Sequence, residues 1–127
     1  MKRIGFNTTN RMFAQSFAAI VKNNPGLGFE PYLLLNPRQA TLDAEVLKID
    51  VAVVDVIDGA PKEAGMVLSF CEKVRQRIPV CRLLLLVSQE DKAGRELAIK
   101  AIKSKIADDY VFYDASLDYL FAKLAAI

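Results

Sequence analysis

The chain has 127 residues, 53% hydrophobic and 25% charged, with a formal net charge of +2. That is enough apolar material for one core, so a single domain over residues 1–127 is expected, without room for a second. No long basic or acidic run points to nucleic acid or a membrane surface, no segment is long and apolar enough to span a bilayer, and the lack of histidine excludes Ser-His and Cys-His catalytic pairs. Met1-Lys2-Arg3 leads into Ile4-Gly5-Phe6, too short an apolar stretch for a signal peptide, and a cytoplasmic protein is the expectation.

Lys2 to Phe6 reads as a first strand, and Asn7-Thr8-Thr9-Asn10 as a polar loop that caps a helix carrying Phe13, Phe17, Ile20 and Val21 at helical spacing. Asn23-Asn24-Pro25-Gly26 stops that helix. Phe29 to Leu35 is a second strand, and Pro31 inside it favours the sheet edge because proline cannot donate to a ladder. A short amphipathic helix follows over Arg38 to Leu47. Ile49 to Val56 is an apolar, β-branched run of the kind buried on both faces, and it is expected at the centre of the sheet.

After the loop Ile57-Asp58-Gly59-Ala60-Pro61 comes a long helix with Ala64, Val67, Leu68, Cys71 and Val74 on one stripe. Arg82 to Val87 is a fourth apolar strand that closes on Ser88. Gln89-Glu90-Asp91 opens a helix whose apolar face carries Ala98, Ile102 and Ile106 and whose surface is the most basic in the chain. Tyr110 to Tyr113 is a fifth strand, and Ser116 caps a last helix with Leu117, Leu120, Phe121 and Leu124 as its stripe. Cys71 and Cys81 lie in apolar segments and are expected as reduced packing residues.

Strands alternating with helices through short loops predict right-handed β-α-β units around one parallel sheet. The fold class is α/β, a flavodoxin-like three-layer sandwich of five β-α pairs with strand order 2-1-3-4-5. In such sheets chemistry gathers at the carboxyl ends of the strands, and Asp55, near the end of the central strand, is the first candidate. A strand-end Asp can also simply accept a backbone N–H. The hydroxyl-rich Thr8-Thr9 loop stands where flavodoxin-like proteins hold a phosphate at a helix N-terminus, so an anion or flavin site there is a further reading. Pro25-Gly26-Leu27-Gly28 follows a helix and precedes a strand, the reverse of a nucleotide-binding turn, and is a plain loop.

Ala107-Asp108-Asp109-Tyr110-Val111 with Ser116-Leu117-Asp118-Tyr119-Leu120, Asp50-Val51-Ala52-Val53-Val54-Asp55, and Leu86-Val87-Ser88 together resemble the receiver domains of two-component response regulators, over the whole chain. The resemblance implies a phosphorelay module whose phosphoacceptor position is Asp55, with Ser88 and Tyr110 at the positions that transmit phosphorylation to the face made by helix four, strand five and helix five. It also implies partners: a histidine kinase or other signalling protein, a linked output domain, or a second copy paired through that face. Lys92, Arg95, Lys100, Lys103 and Lys105 would then meet Asp108, Asp109, Asp114 and Asp118 across a two-fold axis.

The chain departs from that family at the pocket. Asn7 and Thr8 stand where an acidic metal-binding pair is expected, Tyr113 replaces the Lys that neutralises the phosphoryl group, and Asp114 replaces the Pro after it. Asp58 belongs either to the turn with Gly59 or to a displaced ligand set. The expectation is therefore a non-enzymatic pseudo-receiver that acts through protein contacts with weak or no phosphorylation and needs no cofactor. Magnesium enters only under the alternative, a competent receiver using Asp55.

Overall fold

The computed structural model describes the backbone of residues 1–56 and 61–127 and the side chains of all but residues 57–64. Five strands, β1 (Lys2–Asn7), β2 (Phe29–Leu33), β3 (Val51–Val56), β4 (Arg82–Val87) and β5 (Asp109–Phe112), form one parallel sheet in the order β2-β1-β3-β4-β5. They alternate with α1 (Arg11–Lys22), α2 (Ala40–Val46), α3 (Pro61–Arg77), α4 (Lys92–Lys103) and α5 (Leu117–Ala126), and a 3₁₀ turn at Pro25–Leu27 leads into β2. The predicted flavodoxin-like order is the observed one. β3 is central and β2, with Pro31, is an edge.

Alternation along the buried strands divides the core into two layers. Ala52, Val54, Leu83, Leu85 and Val87 face α2, α3 and α4, where Ala44, Cys71, Val74 and Ala98 complete an aliphatic layer. Val51, Val53, Leu84 and Leu86 face α1 and α5. That second layer is aromatic: Phe6 lies 5.0 Å from Phe17, and Phe121 bridges Phe17 and Phe29 at 6.2 and 6.3 Å between ring centres. Gly5 keeps β1 open on the aliphatic side, since a Cβ there would meet Leu34 Cδ1 at 2.8 Å. Both cysteines are buried and free, and burial pushes their thiols up to about 12 for Cys71 and about 11 for Cys81, so neither forms a reactive thiolate.

Several boundaries shift for local reasons. β2 stops at Leu33 rather than Leu35, because β1, its one neighbour, is nearly exhausted at the Phe6↔Leu33 pair. α2 begins at Ala40 because Asn36 Oδ1 accepts the N–H of Arg38 at 3.0 Å and holds the preceding residues in a turn. Ile49 is not in β3: its N–H bonds to Ala44 O at 3.0 Å, closing α2 through Lys48 in the left-handed conformation, φ 54°. Leu117, expected on the apolar stripe of α5, is 46% exposed as the first residue of that helix. Ala64 and the loop at residues 57–60, including Asp58, lie outside the described side chains.

Candidate functional site

β1 and β3 are neighbours with Asn7 paired to Val54, which brings Thr8, one residue past β1, beside Asp55. Thr8 and Asp55 are buried, at 5% and 7% exposure. The Thr8 hydroxyl donates to Asp55 Oδ2 at 2.6 Å and accepts the N–H of Asn10 at 3.0 Å. Asp55 Oδ1 is buried and has no partner among the described residues. Burial raises the Asp55 carboxyl above its ordinary value, and the Thr8 hydrogen bond only partly offsets this. A carboxyl of this kind favours its neutral form relative to an exposed one.

Asn10 caps α1 by accepting the N–H of Phe13 at 3.0 Å, which fixes the loop and, with it, Thr8. Asn7 does not reach toward Asp55, because its amide donates to Leu34 O at 3.0 Å and ties β1 to the end of β2.

On the β4 side, Asp55 opens into a cleft shared with Thr9, Asn10, Ser88, Glu90, Asp91 and Tyr113. Among the described residues its lining contains three carboxylates and neither Lys nor Arg. Tyr113 is 38% exposed, and its ring packs edge-on against Phe13 with centres 5.4 Å apart. Asp91 is committed to α4, accepting the Gly94 N–H at 2.9 Å. Its other oxygen is buried against Gly94, where a Cβ would come within 2.5 Å of it. Among the described residues no group of three or more acidic, Cys or His side chains is placed to hold a metal ion.

No family model and no curated protein matches this chain. Solved structures do. The beryllofluoride-activated NtrC4 receiver domain dimer superposes with a TM-score of 0.76 at 21% identity, covering 99% of this chain and 95% of that one. The Francisella response regulator 1452 receiver domain gives 0.75 at 17% identity, with 99% and 95% covered. Vibrio cholerae chemotaxis protein CheY4 gives 0.73 at 14% identity, with 100% and 98% covered. This is the receiver-domain fold.

In the receiver frame, the predicted site residues separate into three groups. Asp55, Thr8, Ser88 and Tyr113 converge at the carboxyl end of β3, with Asn7 alongside and turned away. Asp114 is exposed next to Tyr113. Tyr110 lies apart, its ring edge-on to Phe112 at 5.5 Å, in a groove with Ser116, Tyr119 and Lys123 on the β5–α5 face. Two acids expected on that face are engaged within the chain. Asp109 pairs with Lys123 of α5, and Asp108 turns to the amino edge of the sheet, where Arg75 and Arg82 bind it.

The sequence reading missed two features. Thr8 serves as a donor to Asp55, and the signal was available: polar residues directly after β1 and near the end of β3 become neighbours once those strands pair. The Asp108 cluster was equally implicit in Arg82 opening β4 and Asp108 preceding β5.

Proposed function

We propose that the chain is a two-component receiver-type signalling module that works through protein contacts, with weak or no phosphorylation of Asp55. The reading rests on one arrangement: a buried carboxyl at Asp55 whose one oxygen is held by a hydroxyl and whose other is enclosed, facing a cleft with Glu90 and Asp91 and no cation among the described residues. Phosphoryl transfer to a carboxylate needs a cation to neutralise the approaching anion and a donor to hold the product. Thr8, which stands where the resemblance implies a metal ligand, donates its hydroxyl to Asp55, and Tyr113, where it implies the Lys, packs on Phe13. The described residues do not fit a divalent ion.

The output surface in this reading is the α4–β5–α5 face, with the basic surface of α4 and the Tyr110 groove as its contact features. A histidine kinase system, a linked output domain or a second copy is the partner class. The test is incubation of the purified chain with acetyl phosphate and Mg²⁺, followed by intact-mass analysis. Little or no incorporation is expected. A stoichiometric, acid-labile phosphate mapped to Asp55 overturns the proposal in favour of a competent receiver.

A further inference from the structure

Beside the acidic cleft, and sharing Asp55 and Thr9 with it, a second cavity of about 590 Å³ opens between the Thr8-Thr9 loop, α2 and α3. It lies beside the point where the sheet order reverses between β1 and β3, which is where open α/β sheets place their ligands. Its volume falls in the range of small-molecule sites, roughly 300–1,000 Å³. The chemistry of its wall differs from that of the cleft. Leu35, Pro37, Met66 and Phe70 supply apolar surface, Thr9 and Thr41 bring hydroxyl groups, and Lys73 is the one cation among the described lining residues.

Met66, Phe70 and Lys73 follow at helical spacing and so share one face of α3. Met66 and Lys73 are seven positions apart, about 10 Å along the helix axis. The Thr8 hydroxyl is taken up by Asp55 and the Asn10 N–H, so among the described residues Thr9 and Thr41 bring free hydroxyl groups to this slot, Lys73 its cation and Leu35, Pro37, Met66 and Phe70 its apolar wall.

We propose that this slot binds a small organic anion with a flat apolar body, its negative group at Lys73 and a hydrogen-bonding end toward Thr9. Such a ligand would give the module an input that needs no phosphoryl transfer, held by Lys73 and the apolar wall in a cavity that only adjoins the acidic cleft at Asp55 and Thr9. The inference stands whether or not Asp55 accepts phosphate.

The probe is 1-anilinonaphthalene-8-sulfonate, titrated into the full chain and followed by its fluorescence and by amide shifts in ¹⁵N spectra. Saturable one-to-one binding is expected, with the shifted amides on α2, α3 and residues 7–9. Lys73→Glu should weaken it at least tenfold, whereas Lys22→Glu, the same charge change at the exposed end of α1, should not. Thr41→Phe, which places a ring in the slot, should abolish binding while the melting transition is retained. Non-saturable binding, equal weakening by both Lys variants, or shifts centred on another face would overturn the proposal.

Discussion

Asp108 and Asp55 stand at opposite ends of the same buried sheet, and their surroundings differ in every respect that sets a carboxylate's energy. Asp108 Oδ2 accepts the Leu83 N–H at 2.8 Å and meets Arg75 at 2.8 Å, while Oδ1 faces Arg82 at 3.4 Å. Burial alone would raise its pKa, but the hydrogen bonds from Arg75 and Leu83 and the two guanidinium charges hold it below the ordinary value. Among the described residues Asp55 has a single hydroxyl partner and an orphan oxygen, and burial wins. A carboxylate that fastens a fold has its lone pairs filled. One kept buried and half-filled stabilises nothing visible, and positions of that kind cluster at sites of present or former chemistry.

The contrast breaks most sharply at Asp108. Asp108→Ala removes a backbone partner and leaves Arg75 facing the amino edge uncompensated, so unfolding in urea at pH 7 should show a loss of about 2–3 kcal/mol. Because the folded pKa is depressed, the stability it brings is present above the ordinary carboxylate range and is lost as pH falls through the depressed value. The gap between wild type and variant should close in acid. A gap that stays constant down to that pH would mean the ion pairs contribute little and packing dominates.

Asp55→Asn should act in the opposite direction. A folded pKa raised above the unfolded one contributes stability that is present below the unfolded value and lost as pH rises through the folded value. The amide does not titrate, so the variant should gain about 1 kcal/mol at neutral pH, a few degrees in melting temperature, and should match wild type in acid. Destabilisation by Asp55→Asn at pH 7 would show that the carboxylate has a partner that favours its charge.

How much of this was legible beforehand follows from which interactions are local. Strand order, the edge position of β2 from Pro31, a cap for α1 within Asn7-Thr8-Thr9-Asn10 and the Ser116 cap were readable, because proline chemistry, capping and hydrophobic runs act over a few residues; that Asn10 is the capping residue comes from the structure. The ends of α2 were not: Asn36 and the left-handed Lys48 decide them, and a lysine at φ 54° carries no glycine signal. Lys105 at φ 61° closes α4 in the same unannounced way. At the site, the residue types at Asn7, Thr8 and Tyr113 were read as substitutions in a pocket. What each does instead depends on long-range geometry. Asn7 reaches Leu34, Thr8 reaches Asp55, and Tyr113 packs on Phe13.

Thr8→Val, with an effect no larger in scale than that of Asp55→Asn, gives the finest test of the comparison. It preserves the volume of the side chain but removes the one donor to Asp55 among the described residues and the acceptor for the Asn10 N–H. If the Thr8 bond stabilises the charged form of Asp55, its loss must raise the Asp55 pKa further, because desolvation then acts unopposed by that hydroxyl. The carboxyl resonance of Asp55 followed by NMR against pH should titrate later in the variant, and stability at pH 7 should fall by about 0.5–1.5 kcal/mol. In an Asp55→Asn background the same Thr8→Val change should cost less, since no carboxylate is left to go unpartnered, and the difference between the two costs measures the coupling directly. Equal costs in both backgrounds would assign the hydroxyl to the Asn10 turn alone, leaving Asp55 with no functional partner among the described residues.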